Sequence, residues 1–510
     1  VTPVPVRIDN RIRIPADAVP PEVLDRLREA TTYVDPGYEK LARMARRDRR
    51  LGWRLRSMTP KVLTWGLDGN EFSLPRGALG KLRVALAEAG LSWRVIDART
   101  TGTGSRYPTP PIHRPDPAAP DGGALRGYQI DAVAAGLERQ NCLLRAPTGA
   151  GKTTTALALA VQAEVPTLVI VWSGGLFEQW EGRLRTELGL RPEQIGIARG
   201  PAWNWTLRPI TIAMQQTLWR GMTAAFVGHW GMVIVDEVQR AAARTVKEVV
   251  DRFPARYRIG ISADETRADG KEFLVYDLFG DVAHEVSQDD LIAEGAVIDV
   301  ECRIVPTDLR ADWYVEERDK GIVPDFNRLL DEMMRDDTRN ALALDVALSE
   351  VETGQQVLVL SQRVEHCQRF DAAFSARGVP CDLMLGGDEW RARFDATKAG
   401  LADGRLRAAV GTIQAVGTGI DMPALGRAVL TTPVGSNRQL YGQIRGRLAR
   451  PGKDDAVLYV LWDRYVQGKS PLKNLIRWNR SVVVRSDAGT WIDGREYLRR
   501  IEDGTADETA

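Results

Sequence analysis

Leu143-Leu144-Arg145-Ala146-Pro147-Thr148-Gly149-Ala150-Gly151-Lys152-Thr153-Thr154 is the stretch on which the reading of this chain turns. The apolar run from Asn141 to Leu144 reads as a buried strand, and Thr153 to Gln162 reads as a helix. The small residues between let backbone N–H groups close around phosphates at the helix N-terminus, the P-loop pattern, with Ala146 where the first glycine is usual. In that pattern Pro147, Thr148, Gly149, Ala150, Gly151 and Thr154 surround the phosphates. Lys152 reaches the β/γ-phosphates and the Thr153 hydroxyl holds Mg²⁺. The strand–loop–helix context separates it from a chance glycine-rich turn and implies binding of a nucleoside triphosphate.

About 85 residues further on, Met232-Val233-Ile234-Val235-Asp236-Glu237 is an apolar strand ending in two acids. Asp236 there can hold Mg²⁺, and Glu237 can polarise the water that attacks the γ-phosphate. Paired acids at a strand end mean little alone. After a P-loop they favour hydrolysis over mere binding.

Outward from these motifs the chain alternates strands and helices from Leu125 on, the signature of a parallel α/β sheet. Strands are expected at 167–172, 210–213, 232–235 and 257–261. A second alternating set begins near Gln355 and has no P-loop of its own. Residues 1–105 read as a small α+β unit, with strands near 4–14, 62–65, 71–74 and 93–96 and helices at 20–29, 38–50 and 77–89. Residues 100–123 (TTGTGSRYPTPPIHRPDPAAPDGG) are too rich in Pro and Gly for either structure. The expected division is therefore 1–105 as an accessory unit, 106–123 as linker, 124–304 and 305–470 as two α/β domains, and 471–510 as a C-terminal extension ending in an acidic tail.

Composition narrows the class. Over 510 residues, hydrophobic content is 44% and charged content 27%, values of ordinary globular protein. No run of eighteen apolar residues and no secretory signal pattern is present, so a cytoplasmic location is expected. Four cysteines without CxxC spacing read as reduced core residues, and the four histidines form no ligand pair. Few of the basic residues are Lys and Arg abounds, which points to a GC-rich bacterial or phage source. The net charge of +1 hides an asymmetry: residues 1–120 carry 21 Lys and Arg against 13 Asp and Glu. The excess is concentrated at 43–56, where Arg46, Arg47, Arg49 and Arg50 lie close to Trp53. A solvated helix face explains such a run. Contact with a phosphate backbone explains it too, because clustered arginines displace counterions.

Near the far end, Gln443-Ile444-Arg445-Gly446-Arg447-Leu448-Ala449-Arg450 places Arg447 and Arg450 on one helical face. Either this is a generic basic helix or it supplies arginine fingers to a transition state.

Taken in order, Gln129, APTGAGKT, VDEVQ, ISADETR, GTIQAVGTGID and QIRGRLAR resemble the superfamily-two helicases, and within them the XPB-type and UvsW-type branch. The stretch Leu278 to Val305 is similar to the segment that follows that branch's third motif. The resemblance implies two RecA-like domains with ATP between them and nucleic acid across their top. It implies adenine contacts from Gln129, with Arg126 and Tyr128 nearby, and hydrolysis by Asp236 and Glu237. In the second domain it implies coupling through Gly419 and Asp421, Gln443 near the γ-phosphate, and Arg447 and Arg450 as fingers. Ser173, Gln179, Gln215, Gln216, Ser361, Gln362 and Thr412 fall where the family's strand-contacting motifs fall. The implied activity is an ATP-dependent DNA helicase or translocase moving 3′→5′ on forked, branched or R-loop DNA. The rivals are a duplex translocase of a restriction or defence complex and a nucleotide-gated clamp. RNA remains a second candidate track, since no 2′-hydroxyl reader stands out.

The sequence departs from the family in the coupling motifs. Gln239 replaces the histidine of DExH, and Ser262-Ala263-Asp264 puts an acid where a hydroxyl is usual. Arg267-Ala268-Asp269 matches the branch's Arg-Glu-Asp element only loosely. An amide at position 239 is expected to do the coupling instead.

Overall fold

Strands that are apolar along their whole length bury both faces, and this chain builds two sheets from them. In the computed structural model, Thr167–Val171, Met232–Asp236, Val357–Ser361 and Val457–Asp463 are buried at every position. The described residues are 2–47, 52–103, 125–240, 243–263, 269–322, 324–417, 425–434, 438–449 and 455–503. Among the expected site residues, Arg49, Arg50, Asp264, Arg267, Gly419, Asp421 and Arg450 lie outside them, as does the side chain of Arg47.

By contacts the chain forms two units, one of residues 1–147 and 151–287, the other of 148–150 and 288–510. The first contains an eight-stranded sheet in the order Ala202–Asn204, Ile195–Arg199, Ile210–Met214, Thr167–Val171, Met232–Asp236, Tyr257–Ser262, Asn141–Arg145, Val282–Glu285. Every neighbouring pair is parallel except the hairpin at the first edge. Its core occupies both faces: Leu157, Trp180 and Leu184 pack on one, Phe226, Trp230 and Phe253 on the other.

The accessory unit is a mixed five-stranded sheet in the order Gly66–Asp68, Glu71–Leu74, Ile12–Pro15, Val4–Ile8, Trp93–Asp97, with helices Pro21–Ala30 and Leu79–Glu88. What reads in sequence as one strand over 4–14 is a hairpin whose turn carries Asn10 and Arg11. That turn reaches the first α/β sheet. Arg258 is fully buried and donates to the carbonyls of Asn10 and Phe253, at 2.9 Å and 3.0 Å, while Arg11 pairs with Asp251 at 2.7 Å. Arg76 donates to the carbonyls of Ala255 and Arg256. Asp277, on helix Glu272–Phe279, accepts from Thr64, Tyr33 and Lys81, and Tyr33 stacks on Phe273 with centroids 4.0 Å apart. A Cβ at Gly77 would overlap the backbone of Tyr276 and Gly280, so that position requires glycine. Buried ion pairs and stacked rings thus make residues 1–103 part of the first unit. Thr100 and Gly102, in the stretch read as too rich in Pro and Gly for strand, form bridges to Ala255 and Trp230.

The second unit holds a sheet in the order Cys381–Met384, Ala408–Thr412, Val357–Ser361, Arg427–Leu430, Val457–Asp463, Glu301–Thr307, Val482–Arg485, Trp491–Asp493, parallel except for the last pair. Strand Glu301–Thr307 lies wholly in this sheet, so the unit starts upstream of the 304/305 boundary expected from sequence. Residues expected as an extension after 470 add helix Lys469–Trp478, two strands and helix Gly494–Glu502 to it. The acidic tail beyond 503 lies outside the described residues. No helix among the described residues is long and apolar enough to cross a membrane.

Candidate functional site

Register decides what meets at the carboxyl edge of the first sheet. Asp236 is opposite Ile261, and Ser262 is opposite Arg145, so the ends of three adjacent strands carry Asp236, Ser262 and the start of the P-loop. The Ala146 N–H donates to the Ser262 carbonyl at 3.0 Å, fixing the loop's departure from the sheet. Gly149 and Gly151 then take φ values of +97° and +74°, which a side chain would strain. The second of them caps helix Lys152–Ala163 and leaves that helix's first N–H groups facing the loop. Lys152 Nζ donates to the Ala146 and Pro147 carbonyls at 3.1 Å and 3.2 Å.

Gln129 is fully buried on helix Gly127–Arg139. Its carbonyl accepts from the Arg126 N–H at 3.0 Å and its amide donates to the Gly151 carbonyl at 3.4 Å. Arg126 donates to the Tyr128 hydroxyl at 3.4 Å. The three residues expected around adenine are therefore one linked group tied to the phosphate loop. Thr153 is half-buried at the first turn of the helix. Thr154 is turned into the core, where its hydroxyl donates to the buried Glu187 at 3.1 Å, so its side chain serves packing there.

Asp236 is buried, and both its oxygens are held: Trp180 Nε1 donates to one and the Glu237 N–H to the other, each at 2.8 Å. Burial raises its pKa and the charge of Glu237 raises it further, against the pull of Trp180 and Lys152. A carboxylate in that situation is a ready partner for a cation. Glu237 adopts φ +48°, a backbone state that costs a non-glycine residue about 1–2 kcal/mol. Local hydrogen bonds hold it there. Gln239 donates to Glu237 Oε2 at 2.5 Å, and its carbonyl accepts from the Ser262 hydroxyl at 2.7 Å. One amide thus joins Glu237 to the end of the neighbouring strand, at the position where the resemblance leads one to expect histidine.

Trp180 and Glu187 did not stand out in the sequence. In helix Gly174–Glu187 they sit at core spacing with Leu176 and Leu184, and nothing in that periodicity marks a tryptophan that holds a carboxylate. Ser173 caps this helix by accepting from the Leu176 N–H, and Gln216 donates to the Trp172 carbonyl. Gln215 is buried beside Trp172 and Asp236, and Gln179 is half-buried.

In the second unit Ser361 and Thr412 are cross-strand neighbours, and Gln362 donates to the Pro433 carbonyl. Gln362 and Thr412 share the wall of a groove of about 640 Å³. Ser361 faces away from solvent, bonded to His366. On helix Arg438–Leu448, Gln443 is buried and Arg447 half-buried, while Arg445 is held by Asp299 at 2.7 Å. In the accessory unit Arg46 and Trp53 are exposed on helices Pro36–Arg47 and Gly52–Arg56, and the Arg54 guanidinium lies 5.4 Å from the Trp53 ring.

Residues 123–266 match the family described as type III restriction enzyme, res subunit, and residues 339–452 match the helicase conserved C-terminal domain. The chain belongs to the superfamily-two helicases. A relative from Kineococcus radiotolerans, named DNA 3′-5′ helicase XPB, is 26% identical over 85% of this helicase and 79% of its own length. One of the same name from Mycobacterium tuberculosis is 25% identical over 66% of this chain and 59% of its own. For fold alone, a fragment assigned to the HsdR subunit of a type I restriction enzyme from Vibrio vulnificus superposes with a TM-score of 0.52. It has 17% identity and covers 72% of this helicase and 70% of that chain. Both sheets are thus RecA-like, and the matched domains are those of an ATP-hydrolysing helicase family.

Proposed function

We propose that this helicase is an ATP-driven DNA motor that moves 3′→5′ along one strand and remodels forked, branched or R-loop DNA in the cytoplasm of a bacterial or phage-infected cell. The observation that carries this reading is the Glu237–Gln239–Ser262 relay, because a simple nucleotide-binding clamp has no use for a hydrolytic acid wired to a neighbouring strand.

In this reading Gln129, Arg126 and Tyr128 hold the adenine, and residues 147–153 hold the phosphates. The half-buried Thr153 hydroxyl and the buried Asp236 carboxylate form an oxygen donor set that suits Mg²⁺. Bound with ATP, Mg²⁺ supplies Lewis-acid charge at the phosphates. Lys152 neutralises charge developing on the γ-phosphoryl group. Glu237 orients a water and takes its proton as the water's oxygen bonds to the γ-phosphorus and the bond to ADP breaks. Gln443, Arg447 and Arg450 add positive and polar groups from the second RecA-like domain, and Gly419 and Asp421 transmit nucleotide state to the strand. Gln239 reports the loss of the γ-phosphate to Ser262 and onward to Asp264 and Arg267. Ser173, Gln179, Gln215, Gln216, Gln362 and Thr412 line the strand's path. The accessory unit selects the DNA structure through Arg46, Arg47, Arg49, Arg50 and Trp53. Grip on the backbone makes binding salt-sensitive and largely independent of sequence.

The test is ATP turnover without nucleic acid and with single-stranded DNA, duplex, fork and RNA, beside Lys152→Ala. Stimulation by one DNA form that vanishes in the variant supports the motor and identifies its track. Turnover indifferent to every nucleic acid discards it.

A further inference from the structure

The groove of about 640 Å³ at the carboxyl edge of the second sheet falls within the range of about 300–1,000 Å³ typical of small-molecule pockets. Its described lining includes Phe326, Gln362, Gly387, Thr412 and Pro433, and no described lining side chain is charged. A phosphate backbone would call for arginine or lysine at its walls. Described walls without charge that include an aromatic ring suit the faces of bases instead.

Phe326 opens helix Phe326–Arg335, whose apolar stripe continues through the buried Leu329, Leu330, Met333 and Met334. Packing needs the stripe only from Leu329 onward, yet Phe326 extends it and remains 39% exposed beside the groove. Its position is fixed from both sides. Asp325 caps the helix by accepting from the Asn327 and Arg328 N–H groups. Arg363, next to Gln362, donates to Asn327 Oδ1 at 3.2 Å and pairs with Asp331 at 3.3 Å. A ring carried on a helix anchored in this way needs little backbone ordering when a second ring stacks on it.

We infer that this groove receives nucleobases of the bound strand and that Phe326 is the platform on which a base stacks. The inference rests on the strand-binding reading above and assigns a role to a residue outside every motif used there.

The experiment compares the full chain and its Phe326→Ala and Phe326→Trp variants. Fluorescence anisotropy measures binding to labelled oligo-dT and to an oligomer of equal length carrying consecutive abasic sites. The wild-type protein should prefer oligo-dT, and Phe326→Ala should bind it about 5- to 150-fold more weakly, the equivalent of one base–aromatic stack. The same variant should bind the abasic strand as the wild type does, and Phe326→Trp should keep the preference. A Phe326→Ala protein that still discriminates as the wild type does overturns the inference alone. So does one that weakens on both strands equally, the mark of a structural role. Wild-type protein that binds neither strand overturns the strand-binding reading as well.

Discussion

Each RecA-like sheet ends a central parallel strand in a buried serine, Ser262 in the first and Ser361 in the second, and the two do opposite work. The Ser262 hydroxyl donates to Gln239, whose amide donates in turn to Glu237, the acid proposed above to orient the attacking water. The Ser361 hydroxyl meets His366 Nδ1 at 3.0 Å, and His366 Nε2 meets Asn340 at 2.9 Å, a set of three groups that satisfy one another. With the imidazole neutral, Ser361 donates to Nδ1 and Nε2–H donates to Asn340. A strand position does not carry a function. What receives its hydrogen bond does: one serine joins a relay, and its counterpart closes a lock.

The comparison is broken most directly at the end of the relay. Glu237→Gln should lower ATP turnover by about 10²–10⁴-fold while nucleotide still binds, measured by phosphate release beside equilibrium binding of a fluorescent ATP analogue. A fall of less than tenfold would mean that the Ser262 relay ends on a bystander.

On the locking side, Arg339 and Asp463 form a buried pair at 2.6 Å, with Thr307 and Gln467 donating to the same carboxylate. Removing Arg339 as Arg339→Ala strands a buried charge and should cost the second unit about 3–5 kcal/mol. Urea unfolding should show this as an earlier transition while ATP-analogue affinity stays within about twofold.

His366 gives the lock a pH dependence. Burial, aided by the positive charges of Arg339 and Arg369, pushes its pKa down to about 3, against about 6.5 in the unfolded chain. The unfolded chain therefore takes up a proton that the folded one refuses. Stability is complete above pH 6.5 and falls by about 1.4 kcal/mol per pH unit as pH drops from there toward 3. Urea midpoints of wild type and His366→Gln across pH 5–7 should diverge in this sense, and parallel curves would remove His366 from the lock.

The smallest effects separate the two serines themselves. Ser262→Ala and Ser361→Ala should each cost stability by about 1 kcal/mol, the worth of one hydrogen bond. Only Ser262→Ala should also lower nucleic-acid-stimulated turnover, by about fivefold. Equal turnover losses in both variants would erase the distinction.

How much of this was legible beforehand differs by residue. The P-loop was plain, because phosphate binding needs small residues, a lysine and a hydroxyl at fixed offsets inside one strand–helix turn. The acid pair followed from its place downstream of the P-loop, where an apolar run ending in Asp236-Glu237 reads as a buried strand with its charges at the rim. Most of the accessory unit's longer elements were read near their observed bounds, though the run over 4–14 proved a hairpin and the short strands Thr32–Val34 and Gly66–Asp68 were missed; its attachment was not read at all. Asp277 meets Tyr33, Thr64 and Lys81 from about 200 residues away, and no local pattern encodes such a meeting. Likewise Val482–Arg485 and Trp491–Asp493 read as an extension because strands of 4 and 3 residues carry little periodicity.

By itself the sequence determined the two parallel sheets, the glycine-rich strand–helix turn at 146–152, the acid pair at the end of a buried strand and the departure of Gln239 from the family pattern. All of these follow from the order of residues within a few turns or one strand. Tertiary structure alone decided that Trp180 holds Asp236, that Gln239 spans Glu237 and Ser262, that Thr154 turns to Glu187, and that Phe326 stands beside Gln362. Those contacts depend on strand register and helix packing, which bring side chains from distant segments together. Only the burial of whole faces fixes that register.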